Sequence, residues 1–125
     1  MDFLPLFFDL KQSTALVFGD TQSAARKVDV LLRAKCHCYL VSESQNEMGE
    51  RFSQENSLLT YIKAPSESVW DSVHLIIAAT GDAEQDQKIS IEAKQRNLPV
   101  NVVNRADLSS FIFPSIIDRS PLIAA

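Results

Sequence analysis

The sequence predicts an α/β fold, a doubly wound parallel sheet with a C-terminal β-hairpin. Three observations carry this. Short apolar, β-branched runs begin near residues 14, 36, 58, 73 and 99. Helix-period segments separate several of them, and alternating β and α elements build parallel sheets. The run at 73–79, VHLIIAA, is nearly continuous in apolar residues, as a central strand covered on both faces must be.

The organising stretch is residues 13–34. Residues 14–18 are β-branched and apolar, short enough for a buried strand. Gly19 breaks the strand. Asp20, Thr21 and Ser23 are helix-start residues, so either Asp20 or Thr21 can cap the helix. Ala24, Ala25, Val28, Leu31 and Leu32 then fall on one helical face. Arg26, Lys27, Asp29 and Arg33 lie mostly on the other side. A strand, a glycine and a helix at the start of a βαβ unit make the Rossmann-like place for a pyrophosphate. Against the dinucleotide fingerprint G-x-G-x-x-G/A, Gly19 and Ala24 match and Thr21 replaces the middle glycine.

The other elements come in order along the chain. Residues 4–10 are apolar but broken by Pro5 and Asp9, and are expected to pack on the sheet as a lead-in. Residues 36–41 form the second strand, with Glu43 and Ser44 just past its end. Residues 42–54 are polar, with helical character around 47–52. Residues 58–62 form a third strand, and 68–71 one helical turn. After 73–79, Thr80, Gly81 and Asp82 turn the chain into a helix over 83–97, with Ile89, Ile91 and Ala93 inward and Asn97 as C-cap. Residues 99–103 are the fifth strand. From 110 on, two apolar segments flank Asp118-Arg119-Ser120-Pro121, a turn signal. The expected organisation is a Rossmann-like domain over 1–109 and a hairpin over 110–125 that begins a dimerisation region.

Composition narrows the function. The chain has 125 residues, 46% hydrophobic and 22% charged, the balance of one globular domain. A net charge of −4 disfavours nucleic acid as a partner. No apolar run approaches the ~18 residues of a membrane span, and the N-terminus lacks a basic start and cleavage site. A cytoplasmic location is the expectation. Two cysteines cannot build a disulfide framework. Cys36 and Cys38 share one strand face and His37 the other, so they read as small core residues and not as a metal site. His74 reads as a satisfied strand-end histidine.

Several stretches together resemble the N-terminal module of siroheme synthase and the stand-alone precorrin-2 dehydrogenases. They are Asp2-Phe3-Leu4-Pro5-Leu6-Phe7, Ala25-Arg26-Lys27-Val28, Ile77-Ala78-Ala79-Thr80, Asn101-Val102-Val103, and the run SFIFPSIIDRSPL over 110–122. The resemblance runs the length of the chain, and the last stretch belongs to no generic nucleotide-binding pattern. It implies NAD-dependent oxidation of precorrin-2 to sirohydrochlorin, often with Fe²⁺ insertion to give siroheme. It also implies a tetrapyrrole substrate and a homodimer.

The departures from that family gather where the chemistry sits. The family's first turn is Gly-Gly-Gly; here it is Gly19-Asp20-Thr21. Lys35 stands where the family usually has Gly after the first helix. Gly81 and Asp86 stand where it has Asp and Asn. Asn104 stands at the Asp proposed as general base. The resemblance therefore places Asn104 at the catalytic position and Gly19, Gln22, Ser23, Glu43, Ser44 and Thr80 toward NAD. Arg105 and Arg119 are candidates for the substrate's carboxylates. Asn104 can equally cap its loop, and Glu43 can be a solvated loop residue. NAD binding is expected to be weak or absent, and the dehydrogenase activity reduced or lost. The alternative is a non-catalytic binding or scaffolding module. The two differ in whether NAD binds saturably.

Overall fold

The computed structural model describes residues 2–42, 57–113, 117–119 and 122–124. Glu43, Ser44 and the helical stretch expected at 47–52 lie outside the described residues, as does the turn at 120–121. Five parallel strands form one sheet: β1 (Thr14–Phe18), β2 (His37–Val41), β3 (Leu59–Ile62), β4 (Leu75–Ala78) and β5 (Val100–Val102), in the order β3-β2-β1-β4-β5. The order reverses between β1 and β4, the switch point where doubly wound sheets open a ligand crevice. Helix α1 (Gln22–Arg33) joins β1 to β2; α2 (Glu67–Ser72) precedes β4; α3 (Ala83–Gln95) joins β4 to β5. Strands β6 (Ile117–Arg119) and β7 (Leu122–Ala124) pair antiparallel as expected of a hairpin, but Asp118 and Arg119, expected in its turn, lie in β6.

Strand alternation builds two cores. Ala15 and Val17 of β1 pack with Ala24, Ala25, Val28, Leu31 and Leu32 of α1 and with Cys36, Cys38 and Leu40. Leu16 and Phe18 face the opposite side, against Trp70, Val73, Ile89, Ala93 and Val100. All five apolar positions expected on α1 are buried. Cys36 and Cys38 are buried and His37 is exposed. His74 Nδ1 accepts the Thr14 N–H at 3.0 Å, and the backbone N–H of His74 donates to the Thr14 carbonyl at 2.8 Å. Among the described residues no group of three His, Cys, Asp or Glu side chains could hold a metal. No helix among them is long and apolar enough to cross a membrane.

Both long helices end in the same way. Lys35 has φ 64° and Asn97 has φ 59°. The Cys36 N–H reaches Leu31 O and the Lys35 N–H reaches Leu32 O; Leu98 and Asn97 repeat this on Ala93 and Lys94. These are Schellman ends, which place one left-handed residue just past the helix. Asn97 is thus the residue after the cap, and Arg96 is the cap itself.

Two expectations fail. The lead-in does not pack on the sheet: Leu4, Leu6, Phe7 and Phe8 are 64–74% exposed, and only Leu10 of its large aliphatic side chains reaches the core. It runs into β1, whose two edges are already taken by β2 and β4, so no strand edge receives it. Ile91 is half exposed. Ile89 and Ala93 are four apart and share a face; Ile91, two residues from each, falls on the other.

The free edge of β5 is covered by side chains. Ser109 Oγ accepts the Val102 N–H and Ser110 Oγ accepts the Val100 N–H, both at 2.8 Å. Asn101, buried, donates its amide to Phe111 O at 3.1 Å. These bonds lead the chain back over the sheet, where Phe111 and Phe113 pack on the α1 side.

Candidate functional site at the carboxyl edge

The site is built on the turn after β1. Gly19 has φ 127°, and a Cβ there would lie 2.1 Å from Ala79 O and 2.9 Å from Thr80 N. Only glycine lets the β1 turn press against the end of β4. Thr21 then starts α1. Its Oγ1 accepts the Ala24 N–H at 3.1 Å and donates to Ala79 O at 2.8 Å. Of the two capping candidates, Thr21 is therefore the one used. Its hydroxyl satisfies an N–H that an anion would otherwise claim.

Asp20 stands beside this cap and takes no part in it. Its Oδ1 is buried with no hydrogen-bond partner among the described residues. Burial and then the Asp20 charge raise the Tyr61 hydroxyl above the usual tyrosine range. A carboxylate ~4 Å from a phosphate charge costs about 4 kcal/mol at an effective dielectric of 20.

On the β4 side the loop is held by one acid. Asp86, 8% exposed, accepts from Thr80 N at 3.1 Å and from Thr80 Oγ1 at 2.6 Å through Oδ1. Asp82 caps α3 by accepting the N–H groups of Glu84 and Gln85. Thr80 Oγ1 also accepts the Asp82 N–H at 3.1 Å.

Between these two turns and the end of β5 lies a crevice of about 280 Å³. Thr21, Ser23, Gly81, Asp86, Asn104 and Arg105 supply its polar or backbone walls; Ala79, Ala83, Val102, Val103 and Leu108 supply its apolar ones. The volume is near the lower end of small-molecule sites. A broader hollow of about 410 Å³ lies along α3 beside Trp70. Apart from Phe18 it touches no residue at the strand ends, and the Gly19–Thr21 turn is no part of its wall.

The structure thus brings Ser23, Asn104 and Arg105 around one crevice, with Gly19 in its supporting turn. Gln22 is exposed and is not among the wall residues. Thr80 is tied into the Asp86 network. Asn104 has φ 62°, a left-handed conformation that asparagine tolerates. Arg105 donates to Asp107 twice, Nε to Oδ1 at 2.9 Å and Nη2 to Oδ2 at 2.7 Å. That pair holds the Asp107 carboxyl below its ordinary range and occupies one face of the guanidinium. Arg119 lies in β6, at the register position opposite Leu122.

The family pattern marks position 86 as a departure beside the site but assigns Asp86 no role in holding the loop. One signal was present: an acid four residues after the helix cap Asp82 sits one turn into the helix, facing back toward the loop.

Comparison with known proteins agrees with this fold. A family described as "Putative NAD(P)-binding" matches residues 6–115. The chain is 45% identical over its whole length to siroheme synthase 1 of Serratia proteamaculans, covering 26% of that protein. It is 40% identical over 126 aligned residues to the siroheme synthase of Nitrosomonas eutropha, again covering 26%. The chain belongs to the siroheme synthase N-terminal NAD(P)-binding family. It spans about a quarter of the length of the curated relatives it matches. The solved structure of the precorrin-2 dehydrogenase SirC superposes with a TM-score of 0.78 at 22% identity, over 98% of this chain and 60% of that one. That likeness shows the fold.

Within this nucleotide-binding family, the fit of the site to a dinucleotide is divided. The Gly19 turn and the open crevice suit nucleoside groups. Asp20 and the Thr21 cap do not suit a pyrophosphate.

Proposed function

We propose that this chain is the nucleotide-binding part of a precorrin-2 dehydrogenase-type oxidoreductase of siroheme biosynthesis, with that activity reduced. The reaction is the NAD-dependent oxidation of precorrin-2 to sirohydrochlorin, and NAD supplies the hydride acceptor when bound. Gly19, Ser23 and the crevice walls would hold its nucleoside parts; Asp20 and Thr21 make the hold weak. Arg105 and Arg119 would meet the carboxylates of the tetrapyrrole, Arg105 at the expense of its pair with Asp107.

The observation that carries the reduced activity is Asn104 on the crevice wall. A base at that point must take a proton as the substrate is oxidised, and an amide cannot do so near neutral pH. The test is NADH appearance with precorrin-2 under anaerobic conditions, together with NAD titration by calorimetry. Slow turnover and NAD binding weaker than low micromolar are expected. Robust turnover by the unmodified chain would overturn the reading.

A second reading, a non-catalytic scaffolding module, draws on the exposed Leu4, Leu6, Phe7 and Phe8. It requires that NAD does not bind saturably at all.

A further inference from the structure

The segment before β1 ends in a pinned turn. Leu10 O accepts the Gln12 N–H at 3.1 Å and the Ser13 N–H at 3.0 Å, and the Leu10 side chain packs on the α1 side of the sheet. Residues 3–8 project from that turn as a strap, and among the described residues none of their backbone groups is hydrogen-bonded. Its exposed Leu4, Leu6, Phe7 and Phe8 leave on the order of 500 Å² of apolar surface in one stretch. That is toward the upper end of what a monomer leaves uncovered, and it marks an interaction site. Pro5 holds Leu4 extended, so little order has to be gained when the strap binds.

The same chain offers an apolar hollow of matching length. It runs along α3 from Gln85 to Gln95, with Phe18, Trp70, Ile89 and Ile91 as its apolar walls. Ten helical residues span about 15 Å; Leu4 to Phe8, extended, span about 13 Å. The charges on its wall are Lys88 and Glu92. Glu92 is held by Arg96 at 3.4 Å, whereas Lys88 has an exposed pair with Glu84 at 3.5 Å, which is worth little. Residues 2–9 carry two acids, Asp2 and Asp9, and no basic side chain. The hollow lies on the Phe18 and Trp70 side of the sheet, opposite the α1 side where Leu10 is anchored. Within one subunit the sheet therefore stands between the strap's anchor and the hollow.

We infer that the strap of one copy docks in the α3 hollow of a second copy, reciprocally. Two straps and two hollows then cover roughly 2,000 Å², within the range of specific interfaces. A two-fold exchange closes with no strap left over. This contact is separate from any made by residues 110–125, which belong to neither surface.

The experiment reads where the strap lies. An unlabelled Asp2→Cys chain carries a nitroxide on the introduced thiol; Cys36 and Cys38 are buried and out of the label's reach. It is mixed with the unmodified chain labelled with ¹⁵N, so that only contact between copies broadens the observed amides. Lys88, Ile91 and Gln95 are expected to lose intensity. Phe7→Ser with Phe8→Ser on the nitroxide chain, or Ile91→Asp on the ¹⁵N chain, is expected to restore it. Made in both copies, either change should weaken self-association on dilution roughly tenfold or more. The strap touches no core beyond Leu10 and Ile91 is half exposed, so circular dichroism should show all variants folded. Broadening of α3 only when nitroxide and ¹⁵N share one chain means docking within a subunit and overturns the inference. Broadening between copies that spares α3 overturns it too, as does none at all, which leaves the hollow to another partner.

Discussion

The hydroxyl of Thr21 donates to the carbonyl of Ala79 at 2.8 Å, so the first turn of α1 is stitched to the end of β4. The same hydroxyl caps Ala24 N–H. A residue at the phosphate-approach position has become a structural clasp. Its removal should trade stability for ligand access.

The double change Asp20→Gly with Thr21→Gly is expected to strengthen NAD binding at least tenfold in calorimetry, by removing a like charge and a Cβ. It should also lower stability by about 1–2 kcal/mol through the lost cap, read from urea midpoints. Unchanged affinity would mean that the turn is not where the pyrophosphate lies.

Asn104→Asp is expected to raise the rate of precorrin-2 oxidation by roughly 10²-fold, the lower end of what a general base contributes. Aspartate tolerates the left-handed backbone at this position, so folding should be unaffected. An unaltered rate with intact folding would show that position 104 does not take the proton.

Lys35→Gly is expected to stabilise the chain by up to about 1 kcal/mol, since φ 64° costs a residue with a Cβ more than it costs glycine. Asn97→Gly should gain less, because asparagine already suits that conformation. A lower thermal midpoint for Lys35→Gly would contradict this account of the helix end. Gly19→Ala is the opposite case. With a Cβ 2.1 Å from Ala79 O and φ 127°, it should cost more than about 3 kcal/mol.

Much of this fold was legible because apolar period decides burial. The five positions on α1, the alternating cysteines and the run at 73–79 could each occupy only one kind of place. Side chains that bond at long range were not legible. Nothing local says that Thr21 rather than Asp20 caps α1, because the choice is made by Ala79, 58 positions away in the chain. Ser110 reads only as the start of the C-terminal hairpin, and its bond to the Val100 N–H exists only because β5 offers its free edge. Position 86 is marked by the family pattern, but nothing local says that Asp86 holds Thr80. For the site, position was readable and orientation was not. Ser23, Asn104 and Arg105 fall around the crevice, but the bidentate hold of Asp107 on Arg105 comes from a turn that composition does not specify.

Residues 110–125 contain Phe111, Ile112, Phe113, Ile116, Ile117, Leu122 and Ile123, and an antiparallel pair of three-residue strands, β6 and β7, is marginal alone and exposes strand edges. The chain is expected to form a homodimer through this region, with a light-scattering mass near twice 13.9 kDa. The choice of variant matters. Phe113 packs on Phe111 at 5.6 Å between ring centres and lies under Lys27 at 4.7 Å. That contact has a cost for the cation, since burial and then the neighbouring Arg26 lower the Lys27 pKa. Phe113→Asp would therefore disturb the fold of the subunit itself and would not report on association alone. Ile112 is 43% exposed and β6 carries Ile117. Ile112→Asp and Ile117→Asp should each shift the mass toward the monomer, while the circular dichroism of the parallel-sheet domain stays unchanged. A mass of one chain at high protein concentration, or a dimer indifferent to both variants, would place the contact elsewhere; the exposed Leu4, Leu6, Phe7 and Phe8 would then be the surface to change next.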